Sequence, residues 1–452
     1  MEDTIAAIAT TMGVSAINII KISGKDAIKI VDKIFSKDLT KVKGNTITYG
    51  FIKDNDEIID EVMVSVFLSP KSYTREDVVE INSHGGIIVT NKIFSLVLEN
   101  GARQAEGGEF LKRAFLNGRI DLSEAEAVED LIESKNEMAR KLSVKNLSGD
   151  LSKKIKNMRA ILIKILSNIE VNIDYPEYED SLEITNDLIK EDISNIKQDI
   201  NRIIDNSDKA LTIKNGINVG IIGSPNTGKS SLLNKLLGEE KAIVTDIEGT
   251  TRDVVEGSII IDGLMLNLID TAGIRKSNDI VEKIGISKSY EIIEKSDLIL
   301  FLFDNNKLIN EEEKELINNL KEKKNKVIVV INKIDLDSKI DTTLLSDFNI
   351  VNISIKNNTG LDELKNKIKE MFEFENINID DFTYVSNARS IALLKKCLDI
   401  INNIENAIKD NILIDMVELD IKELYDTLGE ITGESYKEEL LDEMFKRFCL
   451  GK

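Results

Sequence analysis

Apolar residues recur along the chain with two periods, and the change between them divides it. AINIIKIS (16–23) and EVMVSVFLS (61–69) alternate or run apolar as strands do, while KDAIKIVDKIF between them carries helical spacing. VVEINSHGGIIVTNKIFSLVLENGA reads as strand, glycine turn and helix, so the stretch to about residue 118 is expected to be a compact α+β domain. From Asp121 onward LSEAEAVEDLIESKNEMARKLSVKNL is helical, with Ser123 expected as N-cap, Glu126 at the capping-box position and the acidic run 121–130 as a solvated helix face. Helical periodicity continues through ILIKILSNIEVNI and, past Tyr175-Pro176, to about Leu211; it returns from about Asn387 to Lys452. Between these helical stretches strands and helices alternate, the pattern of a parallel α/β sheet. The expected fold is therefore multidomain, α/β and α. Residues 1–118 form an N-terminal α+β domain, 119–214 and 377–452 a discontinuous helical domain, and 215–376 an α/β domain inserted in it.

Composition narrows the chemistry. The chain has 452 residues, 42% of them hydrophobic, enough for several cores. The opening MEDTIAAIATTMG lacks a basic then apolar leader, and no apolar run reaches membrane-spanning length, so no membrane association is expected. Two cysteines, Cys397 and Cys449, provide no disulfide framework, which fits a reducing cytoplasm. A formal charge of −21 argues against a generally basic nucleic-acid surface, so any RNA contact needs a local patch or a partner's charge. The single histidine, His84, excludes a histidine-cluster metal site; a structural, hydrogen-bonded histidine at a turn is the simpler reading. Cys397, within IALLKKCLDI, is expected in a core.

The strongest chemical signal begins at INVGIIG, a short apolar strand running into Gly223-Ser-Pro-Asn-Thr-Gly228-Lys229-Ser230 and then an amphipathic helix. This is a phosphate loop. Its glycines admit backbone N–H groups to phosphate oxygens, Lys229 reaches the β/γ oxygens, and Ser230 offers a hydroxyl to Mg²⁺. Asn226, Thr227 and Ser231 complete the loop and the first helical turn. GTTRD supplies Thr250 and Thr251, the latter able to complete a Mg²⁺ shell. The run SIIIDGLMLNLID reads as a hairpin turning at Asp262-Gly263, and it delivers Asp270, Thr271, Ala272 and Gly273. Asp270 can hold magnesium through water and the Gly273 N–H can reach a γ-phosphate. The strand KVIVVI ends in Asn332-Lys333-Ile334-Asp335, where a carboxylate can accept from guanine N1–H and N2–H, donors that adenine lacks. Ser354, Ile355 and Lys356 follow the last strand and fit the position closing over the base. Together these predict a Ras-like P-loop GTPase domain binding GTP.

The residue after Gly273 is Ile274, which cannot orient water as the glutamine of Ras-type proteins does. Glu282 is the candidate replacement; a solvated carboxylate on a helix face is the competing reading, and the residue pattern leaves both open. Asn226 could ligate a monovalent cation lying beside the phosphates.

The runs GSPNTGKSSLLNKLLG, IVTDIEGTTRDVVEG and DTAGIRKSNDIVEKIGISKS resemble the G domain of the MnmE (TrmE) family of tRNA-modification GTPases. Outside it, SYTREDVVEINSHGG, GEFLKRAFLNGRIDLSEAEAVEDLI and the tail FCLGK are similar to the same family, so the resemblance spans the chain. It implies a GTPase that works with the flavoprotein MnmG (GidA) on C5 of the wobble uridine of certain tRNAs. The product implied is an aminomethyl or carboxymethylaminomethyl group, with a tetrahydrofolate derivative (5-formyl or 5,10-methylene) as one-carbon donor. It further implies a homodimer through the N-terminal domain, a heterotetramer with the partner, and G domains that meet across K⁺. The family's catalytic glutamate falls on Glu282. Its potassium ligands fall on Asn226, Thr245, Ile247 and Thr250, and its magnesium ligands on Ser230 and Thr251. Folate contacts fall on Lys21, Glu80, Arg119 and Lys452; the family pattern has Arg and Lys where Lys21 and Arg119 stand, which keeps charge but not bidentate geometry. Cys449 is the family's tail cysteine, read either as part of the modification chemistry or as a small buried side chain. The alternative from another class is a GTP switch in ribosome assembly that performs no RNA chemistry.

Overall fold

The computed structural model describes residues 3–174, 186–239, 255–261, 263–269, 285–372, 379–410, 412–434, 444–445 and 451. They divide into two compact units: 1–129 with 146–200 and 387–452, and 130–145 with 201–386.

The first unit opens on β1 (Ile5–Ile8), β2 (Ser15–Ser23), α1 (Ala27–Asp32), β3 (Thr46–Asp54), β4 (Glu57–Phe67), β5 (Val78–Gly85), α2 (Ile87–Glu99), β6 (Arg103–Gln104) and α3 (Glu109–Leu116). The strands form one sheet in the order β3-β4-β5-β2-β1-β6, antiparallel except where β1 meets β6. Ile20, Ile22, Val64, Val79 and Ile81 line the face on which Val31, Ile93 and Val97 of α1 and α2 pack. The alternation read from the sequence thus puts one apolar face under these helices, while Ile5 and Ala7 of β1 are buried on the other face with Phe110 of α3. The helices that follow are α4 (Leu122–Glu133), α5 (Glu137–Leu147), α6 (Asp150–Asp174), α7 (Asn186–Asn215), α12 (Ala388–Lys409) and α13 (Ile414–Thr432), of which most of α5 and the second half of α7 belong to the second unit. Within the first unit α13 packs on α12 and α6, burying Leu162, Ile169, Cys397, Ile401, Ile421 and Leu428.

Three local expectations are corrected. The start of α4 is capped by Asp121, not Ser123: Glu124 N–H donates to Asp121 Oδ1 at 3.0 Å and Asp121 N–H to Glu124 Oε2 at 2.8 Å. The Asp121 carboxylate is free to accept while the Ser123 hydroxyl is buried against Ser152, so the box forms two residues earlier. Ser123 is buried against Ser152, and Glu126 receives Arg389 at 3.2 Å. The acidic run is accordingly not a solvated face, since none of residues 121–130 is exposed and Asp130 is 5% exposed. Cations offset the desolvation of those carboxylates that pair. Finally, His84 lies within β5, not at a turn, and its Nδ1 is 2.7 Å from Asp60 Oδ1, which pushes the imidazole pKa up.

The second unit is built on β7 (Ile217–Ile222), α8 (Lys229–Glu239), β8 (Val255–Ile261), β9 (Leu264–Ile269), α9 (Gly285–Lys295), β10 (Leu298–Asp304), α10 (Glu311–Leu320), β11 (Val327–Asn332), β12 (Asn349–Ile353) and α11 (Leu361–Met371). Its sheet order is β12-β11-β10-β7-β9-β8, parallel except for the β8–β9 hairpin. Strands β10 and β11 are buried throughout, as the continuous runs LILFLF and VIVVI require of a sheet covered on both faces. Because β7 is followed by a neighbour on one side and later by β10 on the other, a crevice opens at its carboxyl end. The phosphate loop lies there. Residues 130–145, the last turns of α7 and 379–386 add a small core of Ala139, Leu142, Ala210, Ile213, Phe382 and Tyr384.

Among the described residues no helix is long and apolar enough to cross a membrane.

Candidate functional site

The loop between β7 and α8 has the backbone its glycines permit. Gly223 and Gly228 hold φ of +141° and +106°. A Cβ on Gly223 would lie 2.3 Å from Leu302 O, and one on Gly228 2.3 Å from Asn332 Nδ2. Neither place admits a side chain, so the cradle at the start of α8 stays open to phosphate N–H contacts. Lys229 Nζ donates to Gly223 O at 2.7 Å and Ser224 O at 2.8 Å, and burial holds its pKa below the usual lysine range. Thr227 is buried and its hydroxyl donates to Ser224 O at 2.9 Å. Ser230 and Ser231 stand in the first turn of α8, where the helix dipole favours anions.

Side chains from the far end of the domain fasten this loop. Asn332, 3% exposed at the end of β11, donates through Nδ2 to Thr227 O at 2.9 Å and accepts at Oδ1 from Ile355 N–H at 3.3 Å. One amide therefore ties the phosphate loop to the segment after β12. Asp335 Oδ1 accepts from the fully buried Ser354 hydroxyl at 2.6 Å, and that hydrogen bond, foremost, keeps the carboxyl ionised below its ordinary range. An acidic acceptor held this way suits the paired donors of guanine. Ser354 Oγ also accepts from Asn357 N–H at 3.2 Å, and Lys356 follows Ile355 in the same turn. Lys333 Nζ reaches Asn226 O at 2.8 Å and Asp304 Oδ2 at 2.6 Å. Asn226, Thr227, Gly228, Lys229, Ser230, Asn332, Lys333, Asp335, Ser354 and Ile355 are thus brought to one crevice. Thr245, Ile247, Thr250, Thr251, Asp262, Asp270, Thr271, Ala272, Gly273, Ile274 and Glu282 lie outside the described residues.

The first unit gathers a second set of residues. Lys21 and Glu80 are register partners on β2 and β5. Lys21 Nζ sits 4.0 Å from the centre of the Tyr73 ring, and the Arg119 guanidinium carbon 4.4 Å from the same centre. Two cations therefore flank one aromatic ring, with Glu80 on the strand beside Lys21. Gly451 packs against Ile8 and Ala9, next to the β1 end whose Ala7 registers with Lys21. Lys452 and Cys449 lie outside the described residues. Cys397 is fully buried, and burial pushes its thiol pKa up to about 12.

Two residues that support these sites from behind, Tyr73 and Asp304, escaped sequence reasoning. The available signal for Asp304 was a charge closing the wholly apolar LILFLF run at the carboxyl edge of a buried strand. Tyr73 sits in SYTRED, where nothing in the spacing marks it.

The doubly covered sheet, its glycine cradle and the Asn332 tie define a P-loop nucleotide-binding protein of the GTPase class. Residues 122–449 match the model of the MnmE helical domain, and residues 4–119 that of the GTP-binding protein TrmE N-terminus. The tRNA modification GTPase MnmE of Enterococcus faecalis is 46% identical, covering 100% of this chain and 98% of that protein. The protein so named from Listeria welshimeri is also 46% identical, with 100% and 99% covered. Among solved structures, the G domain of the T. maritima FeoB iron transporter is 30% identical over 34% of this chain and 98% of that one, with a TM-score of 0.26. The chain belongs to the MnmE family and is an enzyme of the GTP-hydrolysing class.

Proposed function

We propose that the chain hydrolyses GTP with Mg²⁺ and K⁺ and couples the conformational change to modification of C5 of the wobble uridine in certain tRNAs, together with the flavoprotein MnmG. The observation that carries the nucleotide part is the Asn332 amide joining Thr227 to Ile355, which binds phosphate-side and base-side elements into one pocket. Ser230 and Thr251 would hold Mg²⁺, and Asp270 would reach it through water. Asn226, an exposed amide in a left-handed turn, offers a neutral oxygen donor of the kind K⁺ takes; Thr245, Ile247 and Thr250 would complete its shell. When bound, those ions would supply positive charge beside the phosphates that Lys229 and the loop N–H groups hold. Glu282 would orient the attacking water in place of the glutamine that Ile274 excludes.

Lys21, Glu80 and Arg119 around Tyr73, with Lys452 at the tail, would bind a tetrahydrofolate derivative as one-carbon donor, with Cys449 close by. Support for a homodimer through the N-terminal sheet comes from Ile47, Tyr49, Ile58 and Met63, which are exposed on β3 and β4. The working assembly would be a cytoplasmic heterotetramer. In domain terms we read 1–118 as the folate and dimer domain and 215–376 as a G domain inserted between helical parts 119–214 and 377–452. Mass spectrometry of wobble nucleosides from a deletion strain tests the function. C5-modified uridines should disappear. Their persistence would leave the ribosome-assembly switch as the better account.

A further inference from the structure

We propose that Asp304 is a positioning residue of the phosphate loop: through Lys333 it fixes the backbone at Asn226 so that this residue's amide can meet a monovalent cation. The inference rests on the GTP and potassium reading above and adds to it the residue that sets the cation ligand.

Asp304 ends β10, and its side chain is 5% exposed. Both of its oxygens are engaged, Oδ1 by Asn306 N–H at 3.0 Å and Oδ2 by Lys333 Nζ at 2.6 Å. Burial works against its charge, but the ammonium and the N–H outweigh burial and hold its pKa low. The same ammonium donates to Asn226 O at 2.8 Å. Asn226 and Lys333 both adopt left-handed backbone, with φ of +65° and +67°. Side chains disfavour that region, and it persists only where neighbouring contacts fix it. One ammonium thus links two strained residues, and Asp304 anchors it to the buried sheet.

The rest of the loop has separate anchors. Thr227 O is held by Asn332, and the Thr227 hydroxyl holds Ser224 O. Lys229 begins α8 and keeps its helical geometry without Lys333, and Gly228 before it holds its own left-handed φ of +106°. Loss of the Asp304 charge therefore frees Lys333, which is 33% exposed, to swing toward water. Asn226 then loses its carbonyl partner and relaxes, while the N–H groups that grip the β-phosphate stay in place. Cation use and nucleotide binding should separate.

The test uses the full chain and the complex with mant-GDP and aluminium fluoride, followed by fluorescence during a KCl titration at constant ionic strength. Asp304→Asn is nearly isosteric; it removes the charge and turns one of the two accepting oxygens into a donor. It should raise the KCl needed for half-maximal complex by about tenfold, the loss of roughly one charge-assisted contact. Mant-GDP affinity without fluoride should stay within about threefold. Asp304→Glu, which retains the charge on a longer arm, should fall between; it also serves if the Asn variant does not fold. A half-maximal KCl equal to wild type in the folded variants overturns the proposal, as does an equal loss of complex at every KCl concentration, the mark of a merely structural role. Wild type forming the complex equally in Na⁺ and K⁺ defeats the potassium reading itself, and is seen before any variant is made.

Discussion

Replacing Asn332 with alanine should disconnect the phosphate loop from the base side of the pocket. The substitution removes two hydrogen bonds, from Nδ2 to Thr227 O and from Ile355 N–H to Oδ1. Each is worth about 1 kcal/mol net, and a buried group left without a partner costs about 1–3 kcal/mol more. Thr227 is 1% exposed, so water cannot readily replace the lost donor at its carbonyl. The longer 3.3 Å bond to Ile355 counts for less, and the sum is about 2–4 kcal/mol. Nucleotide affinity should fall at least about thirtyfold. A single melting curve is unsuitable for a chain of two units, so native-state hydrogen exchange is the second measurement. Amides of α8 and of the turn after β12 should lose protection while those of α12 keep theirs. A Gly228→Ala change supplies an internal control. In wild type its Cβ would meet Asn332 Nδ2 at 2.3 Å, whereas in the Asn332→Ala background that clash vanishes and only the left-handed strain remains. The two changes should therefore be non-additive by about 1–2 kcal/mol. Affinity and exchange both within about threefold of wild type in Asn332→Ala would refute the tie, and strict additivity would refute the geometry behind it.

Other expectations follow from the same sites. Asp335→Asn exchanges an acceptor for a donor beside Ser354, so GTP preference over xanthosine triphosphate should drop by about a hundredfold in competition assays; undiminished selectivity would remove Asp335 from base recognition. Glu282→Ala should abolish turnover with GDP affinity nearly unchanged, and retained turnover would assign the water to another group. Cys397, its thiol pushed up to about 12, should resist iodoacetamide at pH 8 in the native chain and react once unfolded. Peptide mapping that finds Cys397 alkylated as fast as a free thiol would contradict its burial.

How far the chain could be read depended on the range of the interaction. Elements whose cause lies within a few residues were legible. INVGIIG had to be a buried strand, Gly223 and Gly228 had to bend the loop, and the apolar runs 258–261 and 264–269 had to pair as a hairpin. The phosphate loop was legible for the same reason, because spacing along a strand–loop–helix unit fixes which backbone groups face a phosphate. The helical periodicity from 388 to 432 likewise survived into α12 and α13.

What stayed hidden was the choice of partner across long separations. Nothing in NKID says that Asn332 will hold Thr227, or that Lys333 will bridge Asp304 and Asn226; those pairings arise only when parallel strands set their carboxyl ends side by side. The cap of α4 failed at short range, since Asp121 and Ser123 both satisfy the local rule and burial of Ser123 against Ser152 decided between them. The acidic run beside it read as solvated because periodicity reports an apolar face but not what covers the opposite one. Likewise Tyr73 acquired its two flanking cations only when Lys21 on β2 and Arg119 after α3 converged. Local backbone preference and motif spacing thus specified the class of chemistry. Packing decided which charges pair, which are buried, and how firmly the residues of the site are held, because those energies depend on neighbours that the order of residues does not list.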